Sequence, residues 1–190
     1  VALGYQAMYN TGTGVSESIA IGRLAQRKST ASGNISIGYF GHYSLTSGSS
    51  NIAIGNQAGY NQTTGNSNVC IGSAAFDAAT TASNSVAVGS RALGANTTAD
   101  ANHAFGYEAL ESNTTGTNNT AVGYQTLNAS TTATQNTAVG YEALNSVTTG
   151  GSLTAIGYRA AASTTTPNQI VAIGAQALED FTGTSTLGFN

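Results

Sequence analysis

Charge is scarce in this chain. Only 7% of its 190 residues are Asp, Glu, Lys or Arg, against about a quarter in an ordinary soluble domain. Five basic residues and a formal net charge of −3 argue against nucleic-acid binding, which needs clustered Lys and Arg. The low charge does not indicate disorder, because Ile, Val and Leu recur at regular positions along the chain.

Long apolar runs and cysteine pairs are also missing. No stretch approaches a membrane span of roughly 20 apolar residues, and the chain does not begin with a signal-peptide pattern. The single cysteine, Cys70, excludes an intrachain disulfide. We expect it to be a buried and inert thiol, since the sequence offers no electropositive surroundings that would make it reactive.

Residues suited to catalysis or metal binding are few and scattered. His42 and His103 occupy unrelated positions in the chain, and no Cys/His/Asp spacing indicates a metal site. The closest carboxylate pairs are Glu108 with Glu111 and Glu179 with Asp180. Neither pair has a histidine partner or a nucleophile elbow nearby, and we interpret both as surface residues. The sequence therefore predicts no enzyme, no cofactor and no metal.

What the chain does contain is a repeat. An apolar–small–apolar triplet followed by glycine occurs eleven times, and these motif glycines are separated by 18, then 16, then eight times by 17 residues. The motif glycines are Gly4, Gly22, Gly38, Gly55, Gly72, Gly89, Gly106, Gly123, Gly140, Gly157 and Gly174. A degenerate twelfth copy ends at Gly188. Such a strict period predicts a solenoid in which each repeat forms one coil.

We therefore expect residues 1–190 to form a single all-β domain, a parallel β-solenoid with about 17 residues per coil. Because the chain begins within a motif, we expect it to be a segment of a longer fibre. Successive coils of a parallel solenoid are separated by about 4.8 Å, which predicts a rod on the order of 50 Å long.

Each coil can be described by positions counted from its motif glycine. Position −1 is large and apolar, position −2 is small, and position −3 is usually β-branched. This alternation predicts a short strand with both faces buried. A second short strand is predicted after the glycine, as in Gly106–Leu110 and Gly140–Leu144. The glycine itself is expected to permit a bend or a close backbone approach that a Cβ atom would block.

Equivalent residues of successive coils are expected to stack into ladders. One is a buried amide ladder: Asn34, Asn51, Asn68, Asn102, Asn119 and Asn136. Threonine pairs such as Thr114-Thr115 form another, in a turn. Four tyrosines just past the glycine, each followed by a polar residue, form the candidate contact surface: Tyr107, Glu108, Tyr124, Gln125, Tyr141, Glu142, Tyr158 and Arg159. These tyrosines could bind sugar or protein, or they could cover the apolar strand edge or pack between chains.

Parts of the repeat resemble known fibre proteins. Asn51–Gly55 (NIAIG) and Asn119–Tyr124 (NTAVGY) resemble the head repeats of trimeric autotransporter adhesins, and Asn136–Leu144 (NTAVGYEAL) is similar to repeats in bacteriophage tail fibres. The resemblance covers essentially the whole chain, although the loop is longer than in the most compact adhesin heads. It implies a left-handed parallel β-roll, three chains per fibre, and an extracellular location on a bacterial surface or a virion. It also implies attachment to a cell-surface glycan or protein receptor.

A physical argument also predicts a lateral partner. A coil of 17 residues encloses too little volume to bury both strand faces by itself. We expect large residues such as Ile54 and Ile71 to fill the coil and line one aliphatic core. The small residues at position −2 would then face outwards as a stripe that another chain approaches closely. Closed symmetry makes such an assembly finite around its axis, and the resemblance implies that it is a homotrimer. We expect no membrane insertion by this segment.

Three alternatives remain at this point. The chain could be a purely structural spacer. It could also be a specialised binding solenoid such as an ice-binding protein, although two adjacent threonines cannot both face one flat plane. A sugar-cleaving tailspike is disfavoured, because no carboxylate pair is placed for that reaction.

Overall fold

The computed structural model describes residues 1–12, 15–181 and 183. They form eleven short strands, β1 with two residues and the others with three. In chain order the strands are β1 (Ala2–Leu3), β2 (Ile19–Ile21), β3 (Ile35–Ile37), β4 (Ile52–Ile54), β5 (Val69–Ile71), β6 (Val86–Val88), β7 (His103–Phe105), β8 (Thr120–Val122), β9 (Thr137–Val139), β10 (Thr154–Ile156) and β11 (Val171–Ile173). The degenerate motif ending at residue 188 lies outside the described residues.

The strands form one parallel sheet in which spatial order follows chain order, from β1 to β11. Equivalent motif residues are in register, so that Ala121 pairs with Ala104 of the previous coil and with Ala138 of the next. The chain is therefore a parallel β-solenoid of about ten turns with roughly 17 residues per turn. The glycine period predicted this architecture.

The prediction of a second strand after the motif glycine is wrong. Gly106–Leu110 and Gly140–Leu144 are turns, in which Glu108 and Leu110 have φ values of 54° and 53°. These left-handed values are incompatible with a strand. The amides of both residues nevertheless donate hydrogen bonds of 3.0 Å to carbonyls of the coils on either side. The turn is thus held by its neighbours rather than by local preference.

The motif glycines form a column in which the backbones of successive coils approach closely. Gly106, Gly123 and Gly140 have φ values of 147°, 137° and 135°, which disfavour residues with a Cβ atom. A Cβ on Gly123 would overlap the carbonyl oxygen of Gly140. The close approach expected at these glycines is confirmed.

The interior is lined by small residues and leucines. The prediction that the large residues at position −1 fill the coil and that the small residues at position −2 face outwards is wrong. From Ala20 to Ala172, the side chains at position −2 are buried, so this stripe faces inwards. Ile54 and Ile71 lie on the outer face of β4 and β5 and are only partly buried. Leucines at position +4 fill the interior instead: Leu93, Leu110, Leu127 and Leu144. Because these leucines occupy the coil, only a small side chain fits opposite them on the strand.

The asparagine ladder is confirmed, and all six predicted members are buried. Asn119 donates from Nδ2 to the carbonyl of Ala133 at 2.8 Å, and its Oδ1 accepts the backbone N–H of Asn136 at 3.1 Å. Threonines bond along the rod as well, since Thr114 donates from Oγ1 to the carbonyl of Thr131 in the next coil at 3.0 Å. These bonds satisfy backbone groups that the short strands leave unpaired.

The leucine column is interrupted near the N-terminal end, where position +4 holds Gln26, His42 and Gly59. His42 is fully buried, and its Nδ1 lies 2.9 Å from Ser36 Oγ. Within the described part of the chain, His42 Nε2 and both amide atoms of Gln26 are buried without a hydrogen-bond partner. Burial lowers the pKa of His42 from 6.5 to about 3. Buried polar groups without partners cost about 1–3 kcal/mol each, so these side chains destabilise the interior at this end of the rod.

Candidate contact surface

The four tyrosines at position +1 form a continuous stack on the outside of the rod. Neighbouring ring centroids are 5.1–5.4 Å apart and the ring planes differ by at most 15°. The side chains, which are 41–50% exposed, are those of Tyr107, Tyr124, Tyr141 and Tyr158. Each tyrosine directly follows a motif glycine, so the glycine column holds the rings in register.

Charged and amide side chains at position +2 lie beside this stack. Arg91 Nη1 is 3.4 Å from Glu108 Oε1, and Arg91 also pairs with Glu111. Gln125 donates from Nε2 to Glu108 Oε2 at 2.7 Å. Hydrogen bonds from Gln125 and Tyr107 hold the pKa of Glu108 below its usual value, and the bond to Glu108 raises the pKa of Tyr107.

The same pattern recurs two coils further along. Arg159 Nε lies 3.5 Å from Glu142 Oε2, and Arg159 Nη2 lies 2.9 Å from Glu179 Oε1. A hydrogen bond to Glu142 raises the pKa of Tyr141. Both arginines near the tyrosine stack, Arg91 and Arg159, thus have carboxylate partners.

The structure brings all eight predicted contact residues together on two adjacent columns. They are not equally accessible, since Glu108 is only 8% exposed. Neighbouring rings cover the tyrosine faces, so the stack presents ring edges and phenol hydroxyls to solvent. Such a row can donate and accept hydrogen bonds at regular intervals along the rod.

A second aromatic surface, which the sequence analysis missed, lies on the coils nearer the N-terminus. We call it the aromatic–cationic patch. In its +1 column, the guanidinium carbon of Arg23 lies 5.8 Å from the ring centroid of Tyr5 and 5.4 Å from that of Tyr39. The cation is therefore held between two aromatic rings.

The +5 column of the aromatic–cationic patch repeats this arrangement. Arg27 lies between Tyr9 and Tyr43, at 5.9 and 5.7 Å from their ring centroids, and donates from Nη1 to Tyr43 Oη at 2.8 Å. Tyr60 stacks on Tyr43 with centroids 5.2 Å apart, and Lys28 lies 5.5 Å from the Tyr43 centroid. Comparing residues at position +5 in successive coils would have revealed this column in the sequence.

Two coils without aromatic side chains at positions +1 and +5, those of Gly72 and Gly89, separate the two surfaces. Their +1 column holds Ser73 and Ser90. At Gly94 the +5 column lacks a side chain, which opens a groove of about 430 Å³ beside Asp77 and Arg91. The tyrosine stack and the aromatic–cationic patch are thus distinct.

The outward side chains of the sheet form a third feature, which we call the aliphatic face. It consists of the residues at position −1 of β2 to β11 together with their neighbours at position −3, which are Ile or Val except for His103, Thr120, Thr137 and Thr154. Position −1 is apolar in every one of these strands, and Phe105, Val122, Ile156 and Ile173 are 37–43% exposed. No Asp, Glu, Lys or Arg occupies either position. A contiguous apolar surface of this kind marks a place where another molecule packs.

The remaining candidate residues, Cys70 and His103, lie within strands of the sheet. Cys70 is buried, as predicted, and burial raises the pKa of its thiol well above the usual range. His103 lies on the outer face of β7. Among the described residues, no three or more His, Cys, Asp or Glu side chains are grouped to hold a metal ion. No helix in the described part of the chain has the length and apolarity to cross a membrane.

The fold defines the class of the protein as a parallel β-solenoid with one short strand per coil. Comparison with protein-family models, curated proteins and solved structures finds no match. Its function is therefore argued from its surfaces.

Proposed function

We propose that this chain is a non-enzymatic segment of a homotrimeric extracellular fibre that attaches a bacterial cell or a virion to a surface. The observation that carries the proposal is the aliphatic face, which extends from β2 to β11 and which a single chain leaves exposed to water. A partner that packs on this face removes its apolar side chains from water.

A second copy of the same chain fits this face best. The face is apolar and regular, so the in-register repeat of one chain matches the repeat of another. Burying apolar surface contributes about 25 cal/mol per Å², and many coils add their contributions along the rod. Closed symmetry around the rod axis makes such an assembly finite, and the resemblance to trimeric adhesin heads favours three copies.

Attachment is supported by the tyrosine stack and by the resemblance to adhesin-head and tail-fibre repeats. The phenol hydroxyls repeat once per coil, and a trimer presents three such rows. Weak single contacts to a cell-surface glycan or protein receptor then combine by avidity.

Charged substitutions on the aliphatic face test the assembly. We expect Val122→Lys with Ile156→Lys to give a folded single chain, because both side chains are exposed in one chain and the lysines would be buried in the trimer. Thr115→Lys with Thr132→Lys, at exposed positions of the loop, is the matched control and should remain trimeric. Sedimentation velocity and circular dichroism provide the readouts. A trimer that tolerates both aliphatic-face lysines contradicts the proposed interface.

Loss of the tyrosine stack tests attachment. We expect Tyr124→Ser with Tyr141→Ser to leave the trimer intact and to weaken binding of the whole fibre to its target cells. The control variant, Thr115→Ala with Thr132→Ala, carries two substitutions at exposed loop positions outside the stack and should bind target cells as the parent does. Undiminished binding by an intact trimer would assign the tyrosines to packing and make this segment a spacer.

A further inference from the structure

The two ends of the rod carry opposite charge. Residues 1–76 contain three basic residues and one acidic residue, whereas residues 77–190 contain two basic and seven acidic residues. The aromatic–cationic patch lies entirely in the first of these segments. The tyrosine stack lies in the second, where the arginines are paired with carboxylates.

The cations of the patch have aromatic neighbours instead of carboxylates. Among the described residues, Arg23, Arg27 and Lys28 form no salt bridge, and all three lie within 6 Å of a tyrosine ring centroid. Stacking between rings fixes the plane of a guanidinium group while leaving N–H donors at its edge. Arg23 presents such a planar fork, which recognises carboxylate, sulfate or phosphate groups with two parallel hydrogen bonds. Arg27 donates from Nη1 to Tyr43 and its Nε is buried, so it contributes charge and its remaining N–H donors.

The aromatic part of the patch suits a hydroxyl-rich ligand. Tyr5, Tyr9 and Tyr39 are 63%, 65% and 40% exposed, and their phenol groups can donate and accept hydrogen bonds. Aromatic side chains also provide rigid contact area at low entropic cost. The patch is an open surface along several coils, so it fits an extended chain better than a compact molecule.

We propose that the aromatic–cationic patch binds acidic oligosaccharide chains, with Arg23 and Arg27 pairing with carboxylate or sulfate groups and the tyrosines contacting the sugar hydroxyls. The inference rests on the proposed attachment function and names the ligand class for a site separate from the tyrosine stack. Single-stranded nucleic acid fits less well. Three cations are few for tracking a phosphate backbone, and the rings of Tyr43 and Tyr60 already stack on each other, which limits base stacking.

Solution binding of the purified, assembled chain tests the proposal. The probes are sialyllactose for carboxylate, a heparin-derived oligosaccharide for sulfate, and lactose as the neutral comparison. We expect at least one acidic probe to bind and lactose to bind at least about tenfold more weakly, with affinity falling as salt is raised. Lactose binding as tightly as both acidic probes contradicts the proposal, as does equal or tighter binding of oligo-dT or polyglutamate.

Substitutions then locate the site. Arg23→Gln with Arg27→Gln should reduce acidic-saccharide affinity by about tenfold or more, while Arg23→Lys with Arg27→Lys, which keeps the charge but not the planar fork, should retain part of it. Thr64→Gln with Thr81→Gln places the same side chain on exposed residues of another column and should bind as the parent does. Undiminished affinity in the arginine-to-glutamine variant, with the oligomer intact, overturns the assignment.

The two proposals can fail independently. A fibre that attaches to cells but has no affinity for either acidic probe contradicts this inference alone. A fibre that binds an acidic probe through Arg23 and Arg27 but attaches to no cell surface contradicts the proposed function and leaves the saccharide site in place.

Discussion

At the scale of single residues, the glycine column shows how a missing side chain determines the fold. The carbonyl oxygen of one motif glycine occupies the place where the Cβ of the preceding one would lie. The spacing of successive coils is therefore possible only because glycine has a hydrogen atom in place of a side chain at this position. Gly41, at position +3 of its coil, has no such overlap, and this difference yields a direct test.

Two glycine-to-alanine substitutions should have opposite effects. Gly123→Ala should lower the free energy of unfolding by several kcal/mol, because its Cβ would overlap Gly140 and because φ is 137°. Gly41→Ala should raise it by about 0.4–1 kcal/mol, since a Cβ there meets its nearest neighbours at 3.8 Å and most coils have alanine at this position. Chemical denaturation of both variants gives the comparison, and equal effects would contradict the steric explanation.

Other residue-scale features could not be predicted from the sequence. Glu108, Leu110, Gln125 and Leu127 all have positive φ, although this conformation costs ordinary residues about 1–2 kcal/mol. Residues of these types normally indicate a strand or a helix. Their left-handed conformation comes from hydrogen bonds to the coils on either side, which a search for local turn residues cannot detect.

At the scale of the coil, the sequence predicted the strand but not which of its faces is inside. Both faces of the strand are apolar and differ only in size, so alternation alone does not distinguish inside from outside. The leucine at position +4, which the sequence pattern assigns to a second strand, determines the choice by filling the interior. Side-chain alternation along the strand then places Ile54 and Ile71 outside.

This assignment predicts which side chains can be truncated without loss of stability and which cannot. Leu127→Ala should lower the free energy of unfolding by about 2–5 kcal/mol, because Leu127 is fully buried in the leucine column. Thr132→Ala, at an exposed position, should change it by less than about 0.5 kcal/mol. Since coils contact only their neighbours, hydrogen exchange in Leu127→Ala should rise first near Leu110 and Leu144. A uniform rise along the whole chain would argue against a solenoid.

The polar interruption of the core predicts acid sensitivity. The pKa of His42 is about 3 in the folded chain and 6.5 when unperturbed, so the unfolded chain binds the extra proton between these pH values. The free energy of unfolding should therefore fall as the pH falls from 6.5 towards 3, by about 1.4 kcal/mol per pH unit from this residue.

His42→Leu provides the control for this effect. Leucine occupies the same position in later coils, such as Leu93, and does not titrate. Thermal or chemical denaturation across the pH range should show a shallower pH dependence for this variant than for the parent chain. Parallel curves for the two proteins would assign the acid sensitivity to the carboxylates instead.

At the scale of the whole molecule, the regular period made the tyrosine stack predictable and concealed the aromatic–cationic patch. Tyr107 to Tyr158 recur in every coil, so the stack appears as soon as the repeats are aligned. In the patch, Arg23 and Arg27 interrupt the aromatic columns, so that no single residue type recurs from coil to coil. The structure shows that these arginines lie between tyrosine rings of the neighbouring coils.

The aliphatic face has the same extent as the rod itself, and it is the basis of the proposed trimer. Whether copies of the chain pack together on this face is tested most directly by sedimentation equilibrium of the unmodified chain over a wide range of concentrations. We predict one species with three times the mass of a single chain, persisting to low concentration. A stable, monodisperse single chain at every concentration would contradict the proposed fibre.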